Sequence, residues 1–421
     1  MATVKPFCGL RPAPDLAPQV AALPYDVMDS DEARSITNKN PLSFLRVTKA
    51  EVDLSPDVDV HAPEVYAKAK TNLQAFINDR TLIQDAAPCF YVYKQKMGSH
   101  TQVGLAAAVS VDEYLQNIVR KHEFTRPDKE QDRVDHIVAT EAQTGSVFLT
   151  YKADRQVNAL INEAMQKQPA YDFTAEDGIS HTLYVIDQPE KIQAIEDAFK
   201  NIDVLYIADG HHRSAAASRV CQACRKSNKN HNGTEAYNSF LAVAFPHDMM
   251  YIMDYNRVVK DLNGLKPADF IAKVLKNFTV EKHPGGALKP KQAHTFGMYF
   301  NGEWYKLTAK ENSIENDPVA KLDVSILQNN LLAPILGVGD PRTDKRINFV
   351  GGIRGMKELE RLVDSGKYAV AFSMFATSIE ELMDIADAGQ VMPPKSTWFE
   401  PKLRDAMVVH LTPCAQFANN A

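Results

Sequence analysis

The stretch IDVLYIADGHHR, residues 202–213, decides the reading of this chain. Ile202 to Ala208 is a short apolar run, which fits a strand buried on both faces. Asp209-Gly210 then marks a turn, and the alanine-rich, breaker-free segment from Arg213 to Arg225 predicts a helix. A strand, a glycine turn and a helix start make an anion site. Glycine allows close backbone approach, while the first helical N–H groups and the helix dipole favour negative charge. His211, His212 and Arg213 add side-chain donors, and Asp209 at the strand end suits a hydroxyl or a magnesium ion.

Outward from that element the pattern alternates strands and helices. Cys89–Lys94 and Gln102–Val111 are β-prone and separated by a turn, so an antiparallel pair is expected; Val147–Tyr151 and Thr182–Ile186 read as further strands around a helix near 155–167. FLAVAF (240–245) and the following MMYIMDYNRVV read as another pair of strands. Ala62–Asp79 carries apolar residues at helical spacing, and helices are expected at 267–277 and 321–335 with short strands around 295–307. The proline-dense residues 1–56 read as short strands and turns. The fold class is therefore mixed α/β. Three segments are drawn: 1–115 as an N-terminal α+β piece, 116–260 as the core, and 261–421 as a C-terminal α+β piece.

Composition narrows the function classes. With 421 residues, 45% hydrophobic, the chain is long enough for two or three packed domains. A formal charge of −6 disfavours a protein built to grip nucleic acid. No apolar run reaches a membrane span, and no basic start leads into an apolar stretch, so no membrane partner and a cytoplasmic location are expected. Five scattered cysteines suit reduced thiols. Cys221-x-x-Cys224 with His231 lacks a fourth zinc ligand.

A second constellation lies at His122-Glu123-Phe124-Thr125-Arg126-Pro127, running on through Lys129, Asp132-Arg133 and His136. A glutamate beside a histidine, followed by a hydroxyl and cations, combines a general base with phosphate ligands. A solvated, charged helix face is the structural alternative. Three more stretches offer polar groups: Arg11 with Tyr25 and Asp26; Arg342 and Arg346 before Gly351-Gly352; and Lys395, Ser396 and Trp398 in MPPKSTWF. The first reads equally as a proline-stiffened edge with Tyr25 in the core and the second as a solvated turn, while Trp398 and Phe399 in the third are more often plain core. No Walker A, HRD or DFG pattern occurs.

The His-Glu segment and the DGHHR turn resemble those of the ParB/sulfiredoxin-like superfamily, most closely its free-serine kinases. The motifs RPAPDLAPQVAALPYDV, NPLSFLRV, HEFTRPDKEQDR, IADGHHR, DPRTDKRINFVGG and MPPKSTWFEPKL resemble, over nearly the whole chain, the family known as domain of unknown function 1015. The resemblance implies a ParB/sulfiredoxin-like nucleotide-binding core with an N-terminal sheet and a C-terminal α+β extension. It implies ATP as substrate with Mg²⁺, and transfer to the hydroxyl of a free amino acid, L-serine foremost. Glu123 and Asp209 are then the catalytic residues, Asp209 also the metal ligand, and Thr125, Gly210, His211, His212 and Arg213 the phosphate ligands. His122, Arg342, Arg346, Lys395, Ser396 and Trp398 fall to the amino acid. Two alternatives stand beside this reading: a nucleotide-switched, ParB-like regulator, and a phosphate-ester hydrolase. Oligomeric state is not legible.

Overall fold

The computed structural model describes residues 1–414. They form two compact units, Met1–Met250 with the returning C-terminal segment from Pro401, and Tyr251–Glu400. The division into an N-terminal segment 1–115, a core 116–260 and a C-terminal segment 261–421 remains a proposal.

The first unit is built on one mixed nine-stranded sheet. Its order is Val119–Arg120, Leu205–Asp209, Val147–Tyr151, Ser239–Pro246, His100–Ser110, Phe90–Met97, Ser180–Ile186, Tyr171–Thr174, with Val4–Lys5 also pairing to His100–Ser110. The apolar run before the turn is indeed buried along Leu205–Ala208. Val147–Tyr151, buried at every position, is its antiparallel neighbour. Phe90–Met97 and His100–Ser110 form the expected antiparallel pair. They belong to this same sheet, however, which corrects the expectation of a separate N-terminal one. A second correction concerns Ser239–Pro246, which pairs with His100–Ser110 and Val147–Tyr151 instead of with the strands that follow it. All-apolar strands of this kind are completed by distant partners, since local pattern does not fix register.

The helix after the turn spans His211–Ser227. Its Ser214, Ala215, Ala216, Ala217 and Ser218 are all buried, and small side chains let the helix lie close to its neighbours. One neighbour is helix Pro127–Thr140, whose Asp132, Arg133 and His136 are buried. One side of the charge run at 127–136 is therefore buried, while Pro127, Asp128 and Gln131 on the other are exposed. The proline-rich N-terminus also holds more helix than expected: Ser30–Lys39 is helical, started by a capping box between Asp29 and Glu32.

The segment from Pro401 threads back through the first unit. Val409 exchanges backbone hydrogen bonds with Leu10, Asp405 does so with Ala22, and Cys414 is joined to Cys224 by a disulfide with Cα atoms 5.9 Å apart. This pair corrects the expectation of reduced thiols throughout, while Cys8, Cys89 and Cys221 stay free. The bond closes a sequence separation of 190 residues, and constraining an unfolded loop of that size stabilises the native state by about 2 to 5 kcal/mol. Cys414→Ser is expected to lower the stability read from urea melts by that amount under oxidising conditions, and by far less in excess dithiothreitol.

The second unit carries a six-stranded antiparallel sheet in the order Phe278–Lys282, Glu303–Ala309, Thr295–Phe300, Val370–Ser373, Tyr255–Val259, Ile347–Gly351. The helix expected over 321–335 is Asp323–Leu327 continuing into a π-helical turn, Gln328–Leu332. Among the described residues, no helix is long and apolar enough to cross a membrane.

Candidate functional site

Strand pairing brings the two sequence constellations together. Val119–Arg120 runs parallel to Leu205–Tyr206, so both strands leave the sheet at the same end, where the carboxyl ends of parallel strands form a crevice. Residues 121–126 thereby meet the turn at 209–213. The register between Leu205–Asp209 and Val147–Tyr151 slips between Ile207 and Asp209, and such a bulge re-aims the residue that follows it. Gly210 then sits at φ +96°, with a built Cβ only 3.3 Å from the Val147 backbone. A side chain is excluded there by conformation and by space.

Both histidines of the turn hold the His-Glu segment through their Nε2 atoms. The backbone N–H of His122 donates to His211 Nε2 at 3.4 Å, and that of Arg126 donates to His212 Nε2 at 3.0 Å. An accepting Nε2 leaves the proton of each neutral ring on Nδ1. His211 Nδ1 lies 4.0 Å from Glu123 Oε2. The rings of His122 and His211 meet edge to face, with centroids 4.5 Å apart. Burial keeps both neutral, pushing His122 down to about 4 and His211 well below the ordinary histidine range. His122 bonds the Ile207 carbonyl through one nitrogen, while its Nδ1 is buried without a partner.

Asp209 is engaged through both oxygens. Its Oδ1 accepts from the Gly210 N–H at 2.8 Å, and its Oδ2 pairs with Lys402 Nζ at 2.9 Å. Burial pushes this carboxyl up, but Lys402 and then Arg213 outweigh it and hold the group well below the usual carboxylate range. Arg213 is buried too: Nη1 donates to the Ser146 carbonyl at 2.7 Å, and Nη2 lies 3.8 Å from Asp26. The Tyr25 ring faces Arg213 at 5.6 Å and Arg133 at 3.8 Å. Thr125 donates its hydroxyl to Glu130 at 2.7 Å.

Glu123, Asp209, Gly210, His211, His212, Arg213, His122 and Thr125 are thus gathered around one turn. The other expected residues belong to the second unit. Arg342 binds Asp340 in an exposed turn, and Arg346 pairs with Asp261. Ser396 donates to the Pro393 carbonyl, Trp398 Nε1 donates to Glu400, and the Lys395 ammonium lies 5.7 Å from the Tyr255 ring centre. Arg11 is engaged with Asp85, on neither constellation. Lys402 and Asp405 escaped sequence reasoning as site residues, whereas Arg133 stood only within the charge run that follows the His-Glu pair. The Pro401-Lys402 pair closing MPPKSTWFEPKL was the one available signal for Lys402.

This arrangement offers two kinds of chemistry. The N–H groups of His211 and His212, at the helix start, are free of intrahelical acceptors and suit phosphate oxygens. His122, Glu123 and His211 each bring one potential ligand atom within 4.8 Å of the others, a set that matches borderline transition metals better than magnesium.

No curated protein matches this sequence. Among solved structures, a variant of a free serine kinase in complex with AMP shares 12% identity over 70% of this chain and 87% of its own, with a TM-score of 0.36. A conserved hypothetical protein from Pyrococcus furiosus shares 14% identity over 71% and 93%, at a TM-score of 0.35. SbnI from Staphylococcus aureus, truncated at its C-terminus, shares 11% identity over 75% and 93%, at 0.38. The profile of one protein family matches residues 4–325, and by that match the chain belongs to the family described as protein of unknown function DUF1015.

Proposed function

We propose that the first unit transfers the γ-phosphoryl group of ATP to the hydroxyl of a free amino acid, with L-serine as the expected acceptor. The observation that carries this reading is the approach of Glu123 Oε2 to within 4.0 Å of His211 Nδ1, at the start of a helix whose first amides are open to an anion. In this reaction the acceptor oxygen bonds to the γ-phosphorus as the bond to the β-phosphate oxygen breaks. ADP leaves with the electron pair, and Glu123 takes the hydroxyl proton. The amides of His211 and His212 and the Nδ1–H of His211 face the charge spreading over the equatorial oxygens; such positioning and electrostatics dominate phosphoryl transfer. In this reading the core is a ParB/sulfiredoxin-like nucleotide fold.

Magnesium commonly accompanies ATP, yet both oxygens of Asp209 are already bonded, to Gly210 and to Lys402. Each carboxylate oxygen keeps a second lone pair, so Asp209 would hold a magnesium ion alongside these partners, with nucleotide phosphates supplying further oxygens; no step is assigned to the ion.

The test is to incubate the purified chain with ATP, CTP and a panel of hydroxylated amino acids in magnesium buffer and to follow phosphorus NMR. O-phosphoserine formed in step with ADP supports the kinase. Inorganic phosphate formed regardless of the amino acid indicates a hydrolase, and tight CTP binding without turnover indicates a nucleotide-switched regulator.

A further inference from the structure

Beside Arg213 lies a small cavity in the first unit lined by Tyr25, Arg133, Gly145, Val147, Arg213 and Asp405 among others. The centre of a water-sized group has about 30 Å³ to occupy there, which is room for a few non-hydrogen atoms and not for a nucleotide. Its walls carry charges of both signs. Asp405 is 2% exposed, and none of the described hydrogen bonds reaches its carboxylate. Burial, opposed incompletely by Arg213, pushes this carboxyl up to about 7. A buried carboxylate without a donor is costly, and it faces open space because residue 145 is glycine. A Cβ there would lie 2.6 Å from Asp405 Oδ1 and 3.3 Å from Arg213 Nη1. Across the cavity stand two guanidinium groups. Arg133 spends Nε and Nη2 on Asp132, which leaves Nη1 over.

A simple anion would meet the arginines but also Asp405, and a simple cation would meet the reverse conflict. A small zwitterion satisfies both. We infer that this cavity binds a free amino acid, its α-ammonium on Asp405 and its carboxylate on Arg133 and Arg213. This deepens the kinase reading, on which it rests for the class of ligand.

Titration calorimetry of the full chain without nucleotide separates the two ideas. The ligands are L-serine, glycine, N-acetyl-L-serine, L-serine methyl ester and inorganic phosphate. The two zwitterions are expected to bind at least tenfold more tightly than the three singly charged or anionic probes. Asp405→Asn is expected to weaken L-serine binding at least tenfold while ADP affinity changes less than twofold. Gly145→Ala should act alike by filling the cavity. The inference is overturned if zwitterions fail to bind the unaltered chain, if N-acetyl-L-serine or the methyl ester binds as well as L-serine does, or if Asp405→Asn binds L-serine undiminished. Serine binding with no phosphoryl transfer would keep the cavity and sink the kinase; transfer without serine binding here would do the reverse.

Discussion

Glu123→Gln is expected to lower phosphoryl-transfer turnover by about 10² to 10⁴ while leaving nucleotide affinity nearly unchanged. Glutamine keeps the size of the side chain and one accepting oxygen, so it preserves whatever Glu123 does by shape. What it loses is the capacity to take a proton. The substitution is also safe for the fold, because the Glu123 side chain is 46% exposed while its neighbours are latched independently: the backbone of His122 and Arg126 is held by His211 and His212. Steady-state kinetics with L-serine, paired with calorimetric ADP binding, reads both quantities. A variant that binds ADP poorly but turns over normally at saturation would recast Glu123 as a phosphate-positioning residue.

Acid should unfold the first unit well before ordinary carboxylates protonate. His122, His136 and His410 are buried and pushed down to about 4, His181 to about 3, and His211 well below its usual range, all chiefly by burial. The folded state holds these rings neutral, whereas the unfolded chain protonates them near 6.5. Between pH 6.5 and 4 the unfolded state therefore binds more protons, and stability falls as pH falls, by up to about 3 kcal/mol for a histidine shifted to 4. Asp405, pushed up to about 7 in the same unit, acts in the opposite sense and gains stability over the same interval. Five histidines against one aspartate leave a net loss comparable with the roughly 5 to 15 kcal/mol that holds a domain together. Circular dichroism against pH is expected to give an unfolding midpoint between 4 and 6. His181→Gln, at a ring held by the Tyr93 hydroxyl at 2.7 Å, should shift that midpoint downward. Full structure retained at pH 4 would contradict the assignment.

What the sequence disclosed depends on the range of the interaction. Strand Val147–Tyr151 matched its expected bounds, and the strand–turn–helix at 205–227 lay within a few residues of expectation, because apolar run length, glycine and alanine content are local signals. Helix Ser30–Lys39 went unread behind the prolines, although Asp29 and Glu32 carry a capping signature. Lys402 reaches Asp209 across 193 positions, Cys414 reaches Cys224 across 190, and the same returning segment brings Asp405 to the cavity beside Arg213. Pairings at such separations leave no periodicity in one sequence. The residue types at the turn were legible; which of their atoms were already spent was not. Arg213 gives Nη1 to a backbone carbonyl and lies near Asp26, and the two histidines accept from the segment that carries Glu123.

The central claim is that nucleotide phosphates sit on the turn at 209–213 opposite Glu123. A crystal structure of the full chain with ADP tests it most directly. The expected result is a β-phosphate oxygen within hydrogen-bonding distance of the His211 or His212 amide, with Glu123 beside the open side of that phosphate. ADP bound with its phosphates away from this turn would contradict the account.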